Sequence, residues 1–177
     1  SIGYGLPPMV LAGFPHAGLH SKKQLENIAR NVITGRKHIA LAITEPFADS
    51  DVAGLQATGK IILDDKTGER FLLLNGEKKF ITSGVKADYY TVGVRTPKNS
   101  GKGTGISLIF VERAKIIRGT IKTRRMKTQG LWASNTGFVT FEDVVVPFGN
   151  LIGELNKGFK YTMMNFNHER FVFIVSS

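Results

Sequence analysis

The stretch "RFLLLNGEKKFIT", residues 70–82, decides the fold. Its apolar residues come in short runs without a helical period, interrupted by Asn75-Gly76. Asn-Gly is the strongest short-range signal for a two-residue hairpin turn, so the stretch reads as two short strands joined there. Further strand patterns lie on both sides: "HIALAIT" (38–44) and "KIILDD" (60–65) before it, then "YYTVGVRT" (89–96), "GISLIFVE" (105–112), "KIIRG" (115–119), "TIKTRRM" (120–126) and "GFVTFEDVVV" (137–146). Turn-rich segments such as "PKNSGKGTG" (97–105) separate them. Many short strands with brief connections imply an antiparallel barrel or sandwich.

Helical patterns flank this region. Residues 21–35 place Leu25, Ile28, Ala29, Val32 and Ile33 on one face. Ser21 with Gln24 has the capping-box arrangement, and Gly35 stands where a glycine C-cap belongs. After Pro147, Phe159, Met163, Phe166 and Arg170 recur at spacings of three and four. The expected fold class is therefore an α+β fragment, a mainly antiparallel β-barrel middle domain flanked by helical segments. Its expected boundaries are 1–37 for the end of a helical domain, 38–150 for the barrel and 151–177 for the first helix of another. The chain opens without methionine and stops inside an apolar pattern, the expectation for a piece of something larger.

Composition narrows the chemistry. The chain has 177 residues, 42% of them hydrophobic, enough for a proper core and against wholesale disorder. It has no cysteine, which excludes disulfides and thiolate metal sites. The apolar runs are too short to cross a bilayer, and no secretory pattern opens the chain. A net charge of +10 favours anionic partners, nucleic acid or a phosphate-bearing cofactor among them. The densest basic cluster, "KTRRMK" (122–127), lacks the aromatic interleaving of a base-stacking surface.

Three segments carry possible chemistry. "LAITEPFADSD" (41–51) is a strand running into a polar turn, either a structural Asx or Ser turn or a set of hydroxyls and amides facing a ligand. "KKFITSG" (78–84) sets Phe80 and Thr82 two residues apart, on one face of a regular strand, where they could flank a planar ring. "NFNHERF" (165–171) contains Glu169 beside apolar residues, where desolvation raises a carboxyl pKa toward general-base use. The four histidines are scattered, and "GKGTG" (101–105) lies between strands as a hairpin loop, so neither a metal site nor a phosphate loop is indicated.

Together these segments resemble the acyl-CoA dehydrogenase family. "LAITEPFADSDVAGLQATG" is similar to its T-E-P-x-x-G-S-D strand and loop, and "NGEKKFITSG" to its N-G-x-K-x-W-I-T-N-G. "GLWASNTGFVTFEDVVVP" resembles its segment ending F-x-D-V-x-V-P, and "NKGFKYTMMNFNHER" the opening of its first C-terminal helix.

The resemblance implies FAD as cofactor, held by Leu41, Ile43, Thr44, Ser50, Phe80 and Thr82. It implies acyl-CoA contacts from Ser50, Ser134, Asn167 and Arg170, and Glu169 as a candidate catalytic base. An electron-accepting protein or oxygen as acceptor, a homo-oligomer, no nucleic-acid partner and no membrane span complete the expectation. So does a mitochondrial or peroxisomal site in a eukaryote, or a cytoplasmic one in a bacterium. An acyl-CoA oxidase or flavin monooxygenase of the same fold is the nearer alternative; a basic nucleic-acid-binding barrel is the distant one. Three departures stand out: Phe47 and Asp49 replace small loop residues, and Phe80 replaces tryptophan. A carboxylate at 49 repels a pyrophosphate unless turned away or neutralised.

Overall fold

The computed structural model describes residues 22–48, 51–97, 104–130, 132–163 and 166. Helix α1, Lys22–Ile33, is amphipathic and ends at Gly35, whose left-handed φ of 70° and N–H to the Val32 carbonyl (3.1 Å) make the expected glycine stop. The proposed cap, Ser21, lies outside the described residues. Leu25, Ile28 and Val32 pack inward, whereas Ile33, assigned to the same face from spacing, is exposed.

Eight strands follow: β1 Ile39–Ala42, β2 Thr58–Leu63, β3 Arg70–Ile81, β4 Tyr89–Pro97, β5 Thr104–Glu112, β6 Arg118–Arg125, β7 Gly137–Pro147 and β8 Leu151–Ile152. They hydrogen-bond in the order β6-β7-β3-β2-β4-β5-β8, with β1 off this path on β4. Most neighbours are antiparallel; β1 runs parallel to β4, and β2 touches β4 in parallel only at Thr58 and Arg95. One interior cluster takes side chains from both ends of the path, Ile121 of β6 and Leu151 of β8, together with Leu72, Leu74, Val92, Ile109 and Phe141. A sheet whose first and last strands share a core is curled upon itself. This is the mainly antiparallel β domain the sequence leads one to expect, with a parallel strand added. The opposite face of β1, β4 and β5 carries Ile39, Ile43, Tyr89, Leu108 and Phe110, and α1 covers it with Leu25. Alternating residues thus feed two cores, as the two-residue period of a strand requires.

Two strand readings are corrected. Asn75-Gly76 is not a hairpin turn: β3 runs unbroken through it, and the β2–β3 hairpin closes instead over 64–69, where Asp64 accepts from the N–H groups of Lys66 (2.9 Å) and Thr67 (2.8 Å). The dipeptide serves a bulge. The β3–β7 register shifts between Leu74 and Gly76, and the Asn75 side chain bonds Asp143 through its N–H (2.9 Å) and carboxylate (3.0 Å). Gly76 is required because a Cβ there would lie 2.4 Å from that of Ala57. "KIIRG" is likewise no separate strand, since Arg113–Lys115 form a 3-10 turn and the chain enters β6 only at Arg118.

Beyond β8 the chain docks back on the sheet. Asn156, at φ 66°, donates its N–H to the buried Ser107 hydroxyl (2.8 Å), and its side-chain oxygen accepts from the buried Thr96 hydroxyl (2.8 Å). Its amide also donates to the Pro97 carbonyl (3.0 Å). Asparagine is among the few non-glycine residues that tolerate this backbone region. Gly158 follows against the β5 backbone, where a Cβ would come within 2.8 Å of the Leu108 nitrogen, and residues 158–163 are helical.

Candidate functional site

Two backbone hydrogen bonds bring three of the segments singled out in the sequence to one end of the β domain. The Lys79 N–H donates to the Thr44 carbonyl (2.9 Å), fastening the end of β1 to the end of β3. The Ser83 N–H donates to the Ser134 carbonyl (2.8 Å), joining the turn after β3 to the 3-10 turn Trp132–Ser134.

Phe80 and Thr82 do not share a face through regular strand alternation. The β3–β7 ladder shifts between Lys78 and Ile81, Phe80 takes a left-handed φ of 59°, and Thr82 already lies in the turn. Such a backbone is costly for a bulky residue and turns its side chain out of the pleat. The Phe80 ring is 50% exposed, with the Lys79 ammonium 4.7 Å from its centroid. The same ammonium lies 5.7 Å from the Phe138 ring, on which the Arg124 guanidinium stacks at 4.1 Å. This end is therefore both aromatic and cationic.

The remaining candidates divide clearly. Leu41 is half-buried and Ile43 buried, both in the cluster that α1 covers. Thr44 and Thr82 are half-buried, and among the described residues their hydroxyls have no partner. The Ser134 hydroxyl is engaged with that of Thr136 (2.8 Å). Phe47 is 83% exposed and so does not fill the loop it enters. Ser50, Asn167, Glu169 and Arg170, as well as Asp49, lie outside the described residues.

Sequence reasoning missed the two groups that hold this end together, Lys78 and Glu45, both buried. The Lys78 ammonium donates to the Glu45 carboxylate (2.7 Å) and to the carbonyls of Ile43 (3.1 Å) and Gly93 (2.5 Å), using all three of its protons. Glu45 also accepts from the N–H groups of Gln56 (2.6 Å) and Ala57 (3.0 Å). Burial pulls the Lys78 ammonium down to about 8, against the opposing pull of Glu45. Both residues stood in the quoted segments; Lys78 sits at an inward position of β3 and Glu45 just past the end of β1, and a buried charge needs a buried partner.

Two open hydroxyls, a half-exposed aromatic face and nearby cations form a donor set suited to a planar ring that accepts hydrogen bonds and carries phosphate. Among the described residues the one buried carboxylate, Glu45, is paired with the Lys78 ammonium. The described residues fit a flavin in this respect. They contain no cluster of metal-ligating side chains.

A curled β domain with such an end is suited to presenting a ligand. Comparison with known proteins identifies it further: residues 40–144 match the family described as acyl-CoA dehydrogenase, middle domain. The chain belongs to the acyl-CoA dehydrogenase family of flavoprotein oxidoreductases. It is 37% identical over 172 residues to acyl-CoA dehydrogenase apdG of Emericella nidulans, covering 97% of this chain and 36% of that protein. It is 36% identical to the mitochondrial long-chain specific acyl-CoA dehydrogenase of Mus musculus, covering 87% of this chain and 34% of that one. A crystal structure of an acyl-CoA dehydrogenase complexed with FAD from Bacillus anthracis superposes with a TM-score of 0.74 at 29% identity, over 93% of this chain and 25% of that chain. The chain spans about a third of the length of the curated relatives it matches.

Proposed function

We propose that the protein to which this chain belongs is an FAD-dependent acyl-CoA dehydrogenase that converts a fatty acyl thioester to its trans-2-enoyl-CoA. The observation that carries the reading is the convergence of Thr44, Phe80 and Thr82 at one end of a domain of this family. Residues 38–150 serve as the middle domain, between the end of one helical domain and the start of another.

In this reading Thr44 and Thr82 donate their hydroxyls to the flavin ring, Leu41 and Ile43 back it, and Phe80 covers one side and excludes water. Ser50 meets the pyrophosphate and the acyl-CoA, while Ser134, Asn167 and Arg170 hold the CoA portion. When bound, FAD supplies the two-electron acceptor, at N5, for the hydride leaving Cβ. Glu169 removes the α-proton as a carboxylate and keeps it as a carboxylic acid. An electron-accepting protein or oxygen would take the electrons onward from the group.

The test is direct. The full-length protein should purify yellow, and its visible flavin band should bleach on addition of a saturated acyl-CoA without oxygen. A colourless protein that FAD does not reconstitute would refute the proposal. The E169Q variant should stay yellow and bleach on the order of a hundredfold or more slowly; bleaching at the unmodified rate would remove Glu169 from the role of base.

A further inference from the structure

The buried pair Lys78 and Glu45 has no part in the reading above, yet it lies in the two segments that carry Thr44 and Phe80 and bonds the backbone beside Thr44. We infer that Lys78 and Glu45 are positioning residues for the cofactor, acting through the peptide between Ile43 and Thr44 and through the strand that carries Phe80. The inference rests on the flavin reading of this end of the domain.

Three geometric facts carry it. First, Lys78 draws the Ile43 carbonyl inward (3.1 Å). In a planar trans peptide the N–H points opposite to the carbonyl, so the Thr44 N–H of that unit is turned away from the buried ammonium. Second, Lys78 is the last β3 residue in register with β7 before the ladder shifts, and Lys79 and Phe80 come next. Its bonds to Glu45 and to the Gly93 carbonyl fix the root from which Phe80 is displayed. Third, Glu45 ties the residue after Thr44 to the backbone N–H groups of Gln56 and Ala57, so the loop leaving Thr44 is bracketed on both sides.

A pair serving only the fold would need none of this reach. Ion pairs buried this deeply are often no more stabilising than a well-packed apolar replacement, so stability alone does not account for it. Both side chains are closed off from solvent, so they act on a ligand only through the backbone they hold.

The experiment uses the full-length holoprotein with E45Q, K78M and the double variant, and V146A as a control that opens a cavity in the interior cluster away from the site. Far-UV circular dichroism and thermal midpoint report folding. The readouts are the position and fine structure of the visible flavin band, the FAD dissociation constant, and the rate of flavin reduction by acyl-CoA against its KM. We expect E45Q and K78M to shift the flavin band, to weaken FAD binding by about tenfold, and to slow reduction on the order of ten- to a hundredfold with little change in KM. The double variant should be no worse than the weaker single, as befits two residues acting as one unit. V146A should lose thermal stability and keep the band and the rate. Band, affinity and rate all unchanged in E45Q would overturn the inference while leaving the flavin reading intact. Equal spectral change in V146A would also overturn it, since any loss of stability would then suffice. An unmodified protein without flavin would overturn the reading beneath both. If K78M does not fold, E45Q decides alone, because glutamine keeps the shape and one acceptor oxygen while losing the charge and the second acceptor.

Discussion

At the scale of single residues, the chain spends its unusual backbone where strands must bend or approach closely. Gly76 is the clearest case, with φ at 146° and Ala57 in the space a side chain would take. Substituting Gly76→Ala should destabilise the protein by about 1–3 kcal/mol, measured by urea denaturation. A57G should recover only part of that loss, because the Ala57 Cα is itself 2.7 Å from the new methyl and the backbone strain persists. Full recovery would mean that the methyl contact, and not φ, sets the cost. The same residue shows what sequence reading lacked. Asn-Gly announces a departure from regular backbone, and that much was legible; whether the departure is a turn or a bulge depends on Asp143, which lies 68 positions away. Lys78 was hidden in the same way, since its glutamate is 33 positions distant and its other partners are carbonyls, which leave no mark in a sequence.

At the scale of elements, periodicity served well wherever one face is buried. Helix α1 and strands β4, β5 and β7 lie close to where their apolar patterns put them. Misreadings fall at "KIIRG" and "RFLLLNGEKKFIT", where apolar residues continue through a 3-10 turn or a bulge and the two-residue period is lost. The join between α1 and the sheet was invisible because it is polar: Asp88 accepts from the Lys37 ammonium (2.7 Å) and the His38 N–H (2.9 Å), holding the chain where it enters β1. Burial would raise the Asp88 carboxyl pKa, but Lys37 and the His38 N–H outweigh it and hold it below its ordinary 3.8. A carboxylate so lowered contributes stability above its unfolded value and loses it as pH falls through the folded one. Asp88→Asn should therefore cost roughly 0.5–1 kcal/mol at neutral pH. Below pH 3.8 the difference between the two proteins should narrow toward zero, as read from denaturation midpoints at a series of pH values. A gap that stays constant with pH would show that Asp88 acts by packing instead.

At the scale of the whole molecule, the buried Lys78–Glu45 pair ties together segments from residue 43 to residue 93 and gives the fold a signature in alkali. Lys78 titrates near 8 in the folded protein and near 10.5 when unfolded. Between these values the unfolded chain holds a proton that the folded one has released, so unfolding free energy rises with pH across this window. The sign is the reverse of that for a lysine gaining a surface partner: below about 8 the folded state carries the cost of a buried charge, and alkali relieves it. The expected slope from this group is at most about 1.4 kcal/mol per pH unit, seen as a rise above the trend set by the exposed lysines. K78M should lack that rise. E45Q removes the partner that holds the ammonium up, so its rise should begin at lower pH than in the unmodified protein. Guanidinium denaturation from pH 7 to 10.5 measures all three. A rise that survives in K78M would place the titrating group elsewhere, and an onset unmoved in E45Q would show that the carboxylate does not sustain the buried charge.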